Sequence, residues 1–106
     1  MENFMDPVVR NFFLGFIKTH ILHHASKGPI YGLWFIEELK KHGYDISPGT
    51  LYPILHSMEK DKFLRSYQEV VNGKVRKYYK TTAKGKKTLN EAKDKIQELI
   101  NEIMEV

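Results

Sequence analysis

The chain has 106 residues, 42% of them hydrophobic and 28% charged, with a net charge of +4 and no cysteine. That length supports one small core, and the composition is that of a globular protein rather than a disordered one. Disulfides, thiolate catalysis and cysteine-based zinc fingers are excluded, and no apolar run approaches the roughly 18 residues that span a bilayer, so a cytoplasmic protein without a membrane partner is expected.

The first helix is predicted from about residue 7 to 26. Pro7 suits a first helical position, and Val8, Phe12, Phe13, Phe16, Ile17 and Ile21 form a wide apolar stripe. Lys27-Gly28-Pro29 ends it. A second helix is expected from about Ile30 to His42, with Phe35, Ile36 and Leu39 facing inward and Gly43 as its stop. The third, residues 47–61, starts at Ser47-Pro48 and repeats Leu51, Ile54, Leu55 and Met58 at helical spacing. Only Gly43-Tyr44-Asp45-Ile46 separates it from the second, which makes the pair a helix-turn-helix.

After Phe63 the period changes. Leu64 to Val71 and Lys74 to Thr81 read as strands, joined by Asn72-Gly73, a strong two-residue hairpin signal. That loop pairs 71 with 74, 69 with 76 and 67 with 78. One face then carries an expected Glu69–Arg76 ion pair, Tyr67 beside Tyr78, and Arg65 opposite Lys80; the other carries Leu64, Val70, Val75 and Tyr79, the expected core side. Three helices and a basic hairpin make a winged helix-turn-helix.

The last helix is predicted from Thr82 or Ala83. Leu89, Ala92, Ile96, Leu99, Ile103 and Val106 follow spacings of 3, 4, 3, 4 and 3, and Ile100 and Met104 widen the stripe. This heptad seam suits pairing with a second copy, because three helices already supply the small core. The fold class is therefore mainly α with a small β-hairpin (α+β). Residues 1–81 form the winged DNA-binding domain with its N-terminal helix, and residues 82–106 the dimerisation helix.

Charge is unevenly placed. Residues 1–55 carry 5 basic and 5 acidic side chains, residues 56–88 carry 10 and 3, and residues 89–106 carry 2 and 5. A net +7 on one third of the chain has the form of a polyanion footprint, although charge alone does not distinguish it from a solvated basic face with no partner. At 100° per residue, Gly49, Pro53, His56, Ser57 and Lys60 share the outward face of the third helix, flanked by Thr50 and Tyr52. In a major groove, Ser47, Thr50 and the free first-turn amides suit phosphate oxygens, Lys60 reaches phosphates further out, as does Tyr52 unless it is a half-buried core aromatic, and His56 or Ser57 meets base edges. No Arg, Asn or Gln on this helix offers bidentate base readout, so direct specificity is modest. Lys74, Arg76 and Lys77 in the wing suit the neighbouring minor groove or its phosphates; Lys84, Lys86 and Lys87 are equally readable as solvated charges. Pro53 forgoes a hydrogen bond to Gly49, its partner on the outward face, so the loss falls outside the core, and a bend is expected there.

GPIYG (28–32), ISPGTLYPILHSMEKDKFL (46–64) and KVRKYYKTTAKGKKTL (74–89), in that order and spacing, resemble the PadR family of bacterial transcriptional regulators. With one C-terminal helix, the chain is similar to the short subfamily. The resemblance implies a homodimeric winged-helix repressor on double-stranded DNA with an inverted-repeat operator, its C-terminal helices building the dimer, often released by a small hydrophobic effector. After Gly32 the family usually continues with Tyr and an acidic residue, where this chain has Leu33 and Trp34. Short drug-responsive members carry a tryptophan on the C-terminal helix at a ligand site, whereas no aromatic residue follows Tyr79 here.

The remaining constellations are weaker. His20, His23 and His24 include an i, i+4 pair, but no cysteine or clustered carboxylate completes a metal site; packed or partly exposed histidines are expected, with no metal and no cofactor. With no nucleophile elbow and no paired-carboxylate cleft, no enzyme is expected. Trp34 lies off the core stripe of its helix; it either covers the N-terminal helix or lines an effector or dimer surface, with Phe12, Phe13 and Phe16 as candidate members of that site. The sequence thus predicts a DNA-binding regulator, the rival being a winged-helix protein–protein interaction module.

Overall fold

The structure, a computed structural model, describes residues 6–104, so Val106 of the predicted seam lies outside the described residues. Helix α1 (Pro7–Lys27) begins at Asp6, whose carboxylate accepts from the Val8 amide at 2.8 Å. It buries Phe13, Ile17, Ile21, Leu22 and Ala25. Val8 and Phe12, expected in the same stripe, are exposed, because none of the described residues covers them.

Helix α2 (Gly32–Lys41) buries Phe35, Ile36 and Leu39. It starts two residues later than predicted, because Ile30 is taken by the sheet. Its amide donates to the Tyr79 carbonyl at 3.0 Å and its carbonyl accepts from the Tyr79 amide at 2.7 Å. At the other end Gly43 takes a φ of +85°, and the amides of Gly43 and Tyr44 donate to the carbonyls of Lys40 and Leu39. A left-handed residue just past a helix is where glycine has no steric penalty. Ile46 is buried in the turn, and helix α3 (Pro48–Lys60) follows, burying Leu51, Leu55 and Met58.

Strands β1 (Leu64–Val71) and β2 (Lys74–Thr81) pair antiparallel in the predicted register. Asn72 and Gly73 both have positive φ, 52° and 78°, as the tightest right-twisting hairpin loop requires. The face assignment holds only at the base. Leu64, Tyr79 and Thr81 are buried, but Val70 and Val75 are 73% and 65% exposed. Eight-residue strands outrun the helical layer beneath them, so the tip stands free as a wing. The Glu69–Arg76 ion pair does not form; Arg76 lies instead over the ring of Tyr31. Tyr67 and Tyr78 do stack, with centroids 5.4 Å apart.

Helix α4 (Ala83–Ile103) is capped by Thr82, whose hydroxyl oxygen accepts from the Gly85 amide at 3.0 Å and whose hydroxyl donates to the Lys62 carbonyl at 2.6 Å. Its fully buried residues, Gly85 and Leu89, lie in the first two turns. Gly85 is there for space: a Cβ would run into the backbone carbonyl of Phe63 and the Thr81 methyl. Neither is the end of a flexible side chain, so the junction must shift. Gly85→Ala is expected to destabilise the fold by about 1–3 kcal/mol, the usual cost of overpacking, as a lower urea midpoint.

Candidate nucleic-acid interface

One face of α3 is closed into the core and the opposite one is open. Gly49, Tyr52, Pro53, His56, Ser57 and Lys60 are all exposed, with Thr50 half-buried at their edge. α3 runs unbroken through Pro53, which sits on this open face. The first turn is more fully used than the sequence suggests. Ser47 Oγ accepts from the Thr50 amide at 3.2 Å and its hydroxyl faces Thr50 Oγ1 at 3.1 Å, while the Leu51 amide donates to the Ser47 carbonyl. Pro48 has no amide hydrogen, which leaves that of Gly49 as the donor without an acceptor among the described residues. Ser47 is therefore a helix cap first, and only its neighbour's hydroxyl proton and the Gly49 amide remain to meet an external oxygen. Gly49 itself is not required by the fold, since an added Cβ would find nothing closer than Ser47 Oγ at 3.8 Å.

Tyr52 is different. Its ring lies over Gly32 at the start of α2, where a Cβ on Gly32 would fall 2.7 Å from the Tyr52 hydroxyl oxygen. Glycine at 32 thus makes room for a tyrosine that leans out of α3 toward the wing. Between them runs a groove of about 420 Å³ lined by Tyr31, Gly32, Tyr52, Lys74, Arg76 and Lys77. The wing residues singled out from the sequence meet here, but they do not carry equal charge into it. Lys77 Nζ is 3.1 Å from Glu59 on α3, and its ammonium also faces the Tyr79 ring. Ser66 donates to the same carboxylate; that hydrogen bond, with Lys77, holds Glu59 below the usual carboxylate range. Lys77 therefore ties the wing to the recognition helix, and a phosphate would compete with Glu59 for it. Lys84 is likewise engaged, donating to the Asp61 carbonyl at 2.7 Å at the end of α3. Glu59 and Tyr31, absent from the sequence reading, prove to organise the groove; neither lies on a periodic stripe, so only their spatial neighbours reveal them.

The residues read as dimerising separate into two groups. Leu89 is buried and Ala92 half-buried, whereas Ile96, Leu99, Ile100, Ile103 and Met104 are all at least 40% exposed. With Phe12 and Phe16 of α1, Leu89 and Ile96 line an apolar cavity of about 530 Å³. The other two aromatics assigned to an effector surface are elsewhere. Phe13 is buried in the core beside Tyr44, and Trp34 meets His24 edge-on at 5.3 Å, covering α1.

The HILHH histidines join His42 in a cluster. His20 lies 5.9 Å from His24 and 5.8 Å from His42, ring to ring, and His42 Nε2 is 3.5 Å from Glu38. Among the described residues no three histidine or carboxylate side chains are placed to hold a metal ion. Burial, then the neighbouring imidazoles, pushes the His20 and His24 pKa values down, against the opposing pull of Glu38.

A helix-turn-helix whose second helix shows a polar open face beside a basic β-wing defines the class: a winged-helix DNA-binding protein. Residues 21–91 match the model of the PadR-like transcriptional regulator family. The chain is 43% identical over 96 residues to the transcriptional regulator Rv3488 of Mycobacterium tuberculosis, covering 91% of this chain and 90% of that protein. A PadR-like transcription factor from Bacteroides fragilis superposes with a TM-score of 0.81 at 32% identity, covering 94% of this chain and 98% of that one. A PadR family regulator from Eggerthella lenta gives 0.80 at 28% identity, covering 92% and 87%. The chain belongs to the PadR-like family of transcriptional regulators.

The histidine cluster sets a pH dependence. Folded His20 and His24 bind protons less readily than they do unfolded, so their effect is absent well above the free value near 6.5 and grows as pH falls below it. The urea midpoint is expected to drop between about pH 7.5 and about pH 5.5, and less so in His20→Gln.

Proposed function

We propose that the protein is a homodimeric repressor that reads an inverted-repeat operator with two α3 helices and two wings. The observation that carries this reading is Gly49. It is exposed at the start of α3, has room for a side chain, and keeps a free amide, which suits a backbone that comes close to a DNA phosphate. Thr50, Tyr52, Pro53, His56, Ser57 and Lys60 surround it on the same face, with Ser47 holding the turn, and Lys74 and Arg76 extend the contact along the groove. Repression follows from occupying a promoter against polymerase, with half-sites about one turn, roughly 10 base pairs, apart.

The second copy is assigned to α4. Residues 1–81 act as the DNA-binding unit, and the seam of 82–106 beyond Leu89 pairs with its counterpart, since five large apolar side chains in series are left in water otherwise. The α1–α4 cavity, with Phe12 and Phe16 on one wall, is the place in which a small hydrophobic effector would bear on dimer geometry and so on half-site spacing. Phe13 and Trp34 are not part of that cavity.

Selection of bound fragments from the source genome tests the central reading, with a palindrome upstream of an operon expected. Gly49→Ala should separate stability from binding: unfolding free energy unchanged or raised by about 0.5 kcal/mol, DNA affinity lowered about five- to tenfold. Lys60→Ala, a phosphate contact in this reading, should lower the salt slope by about one. Leu99→Glu with Ile103→Glu is expected to convert a dimer to a monomer by sedimentation at about 10 μM. A wild-type monomer at that concentration would remove the dimer from the proposal.

A further inference from the structure

Arg76 has a local carboxylate available and does not use it. Glu69 is its cross-strand partner, yet the guanidinium carbon sits 4.0 Å from the centroid of the Tyr31 ring. Tyr31 comes from a distant part of the chain, the residue before α2, and its place is set by neighbours on both sides. Ile30 exchanges two backbone hydrogen bonds with Tyr79, which lays the chain along β2. The Tyr31 ring then meets Tyr78 edge-on at 5.6 Å, and Tyr78 stacks on Tyr67. The Tyr31 ring thus takes the flat face of the guanidinium, and Tyr78 and Tyr67 pack in series behind that ring.

A cation held over a ring and a cation held by a carboxylate differ in what they leave free. An ion pair occupies the N–H edge and cancels the charge, whereas a ring takes the flat face and leaves both the edge and the charge available. In the same groove Lys77 is already neutralised by Glu59. Arg76, with no ion-pair partner among the described residues, keeps its full charge. An arginine ordered before binding also avoids the loss of side-chain freedom that a loose one suffers on contact.

We propose that Tyr31 is the positioning residue for Arg76, presenting its guanidinium edge at the groove between wing and recognition helix to a DNA phosphate. This rests on the reading that Arg76 contacts DNA. Tyr31 touches the DNA through Arg76 and not on its own account.

A double-mutant cycle on the full chain tests it, with a mixed-sequence duplex of about 30 base pairs at low salt as the probe, since phosphate contacts do not depend on sequence. Tyr31→Phe, which keeps the ring, should bind within about twofold of wild type, and Tyr31→Leu about three- to tenfold more weakly. In an Arg76→Ala background, Tyr31→Leu should have no further effect. An equal loss in both backgrounds overturns the proposal while leaving Arg76 as a DNA contact. An Arg76→Ala variant that binds like wild type removes the contact itself, and the proposal with it. No substitution is needed for the remaining test: in the free wild-type protein the Arg76 Nε–H signal should be shifted by the ring current and slowly averaged, and an unshifted, freely averaging signal overturns the proposal even if Tyr31→Leu does not fold.

Discussion

The two backbone hydrogen bonds between Ile30 and Tyr79 decide how the wing stands relative to the helices. A two-stranded hairpin has little independent stability and no preferred direction of its own. Here Ile30 acts as one rung of a third strand, the Tyr79 ring is buried beneath it, and two residues further along the Thr81 hydroxyl donates to the Leu22 carbonyl at 2.9 Å. The base of β2 is thereby held to both α1 and the entry of α2. Unpaired, these backbone groups would be buried polar atoms without partners, so the arrangement resists small displacements. The groove between the wing and α3, the position of Tyr31 and the reach of the wing tip all inherit their geometry from that short contact.

Positive charge in this molecule is divided between two tasks. Part of it holds the fold together: Lys77 joins β2 to α3 through Glu59, and Lys84 satisfies a carbonyl at the end of α3 with its ammonium also lying over the Phe63 ring. Lys60, Lys74 and Arg76, by contrast, have no carboxylate partner among the described residues and contribute positive potential on the open face of α3 and in the wing. A count of basic residues along the chain therefore overstates the footprint, because it treats a strut and a contact alike.

Much of the architecture was legible because its causes are local. The stripe of Leu51, Leu55 and Met58 sets which way α3 faces, and the open face follows from it without knowledge of the rest. Asn72-Gly73 determines the hairpin register for the same reason, since both residues must take left-handed backbone angles. The misreadings share a non-local origin. Ile30 continues a helical pattern in sequence but is recruited by Tyr79, 49 positions away. Alternation in β1 and β2 assigns Val70 and Val75 to the correct face, yet cannot say that the helical layer ends before it reaches them. Glu69 and Arg76 are correctly opposite, but a ring from outside the hairpin outcompetes the pairing. The aromatic residues of α1 look alike on paper, and only packing separates Phe13 in the core from Phe12 at the surface.

The junction at Gly85 has a mechanical meaning. Thr82 joins α4 to the carbonyls of Lys62 and Phe63, Lys84 joins it to Asp61, and Gly85 presses its backbone against Phe63, so the root of α4 and the tail of α3 share one network. There is no hinge between them. Beyond Ile96 the last seven residues of the helix, some 10 Å at about 1.5 Å per residue, are exposed. The helix is a lever fixed at one end to the recognition helix. A torque applied near Ile103 arrives at α3 as rotation of the whole unit rather than as slack taken up at a joint.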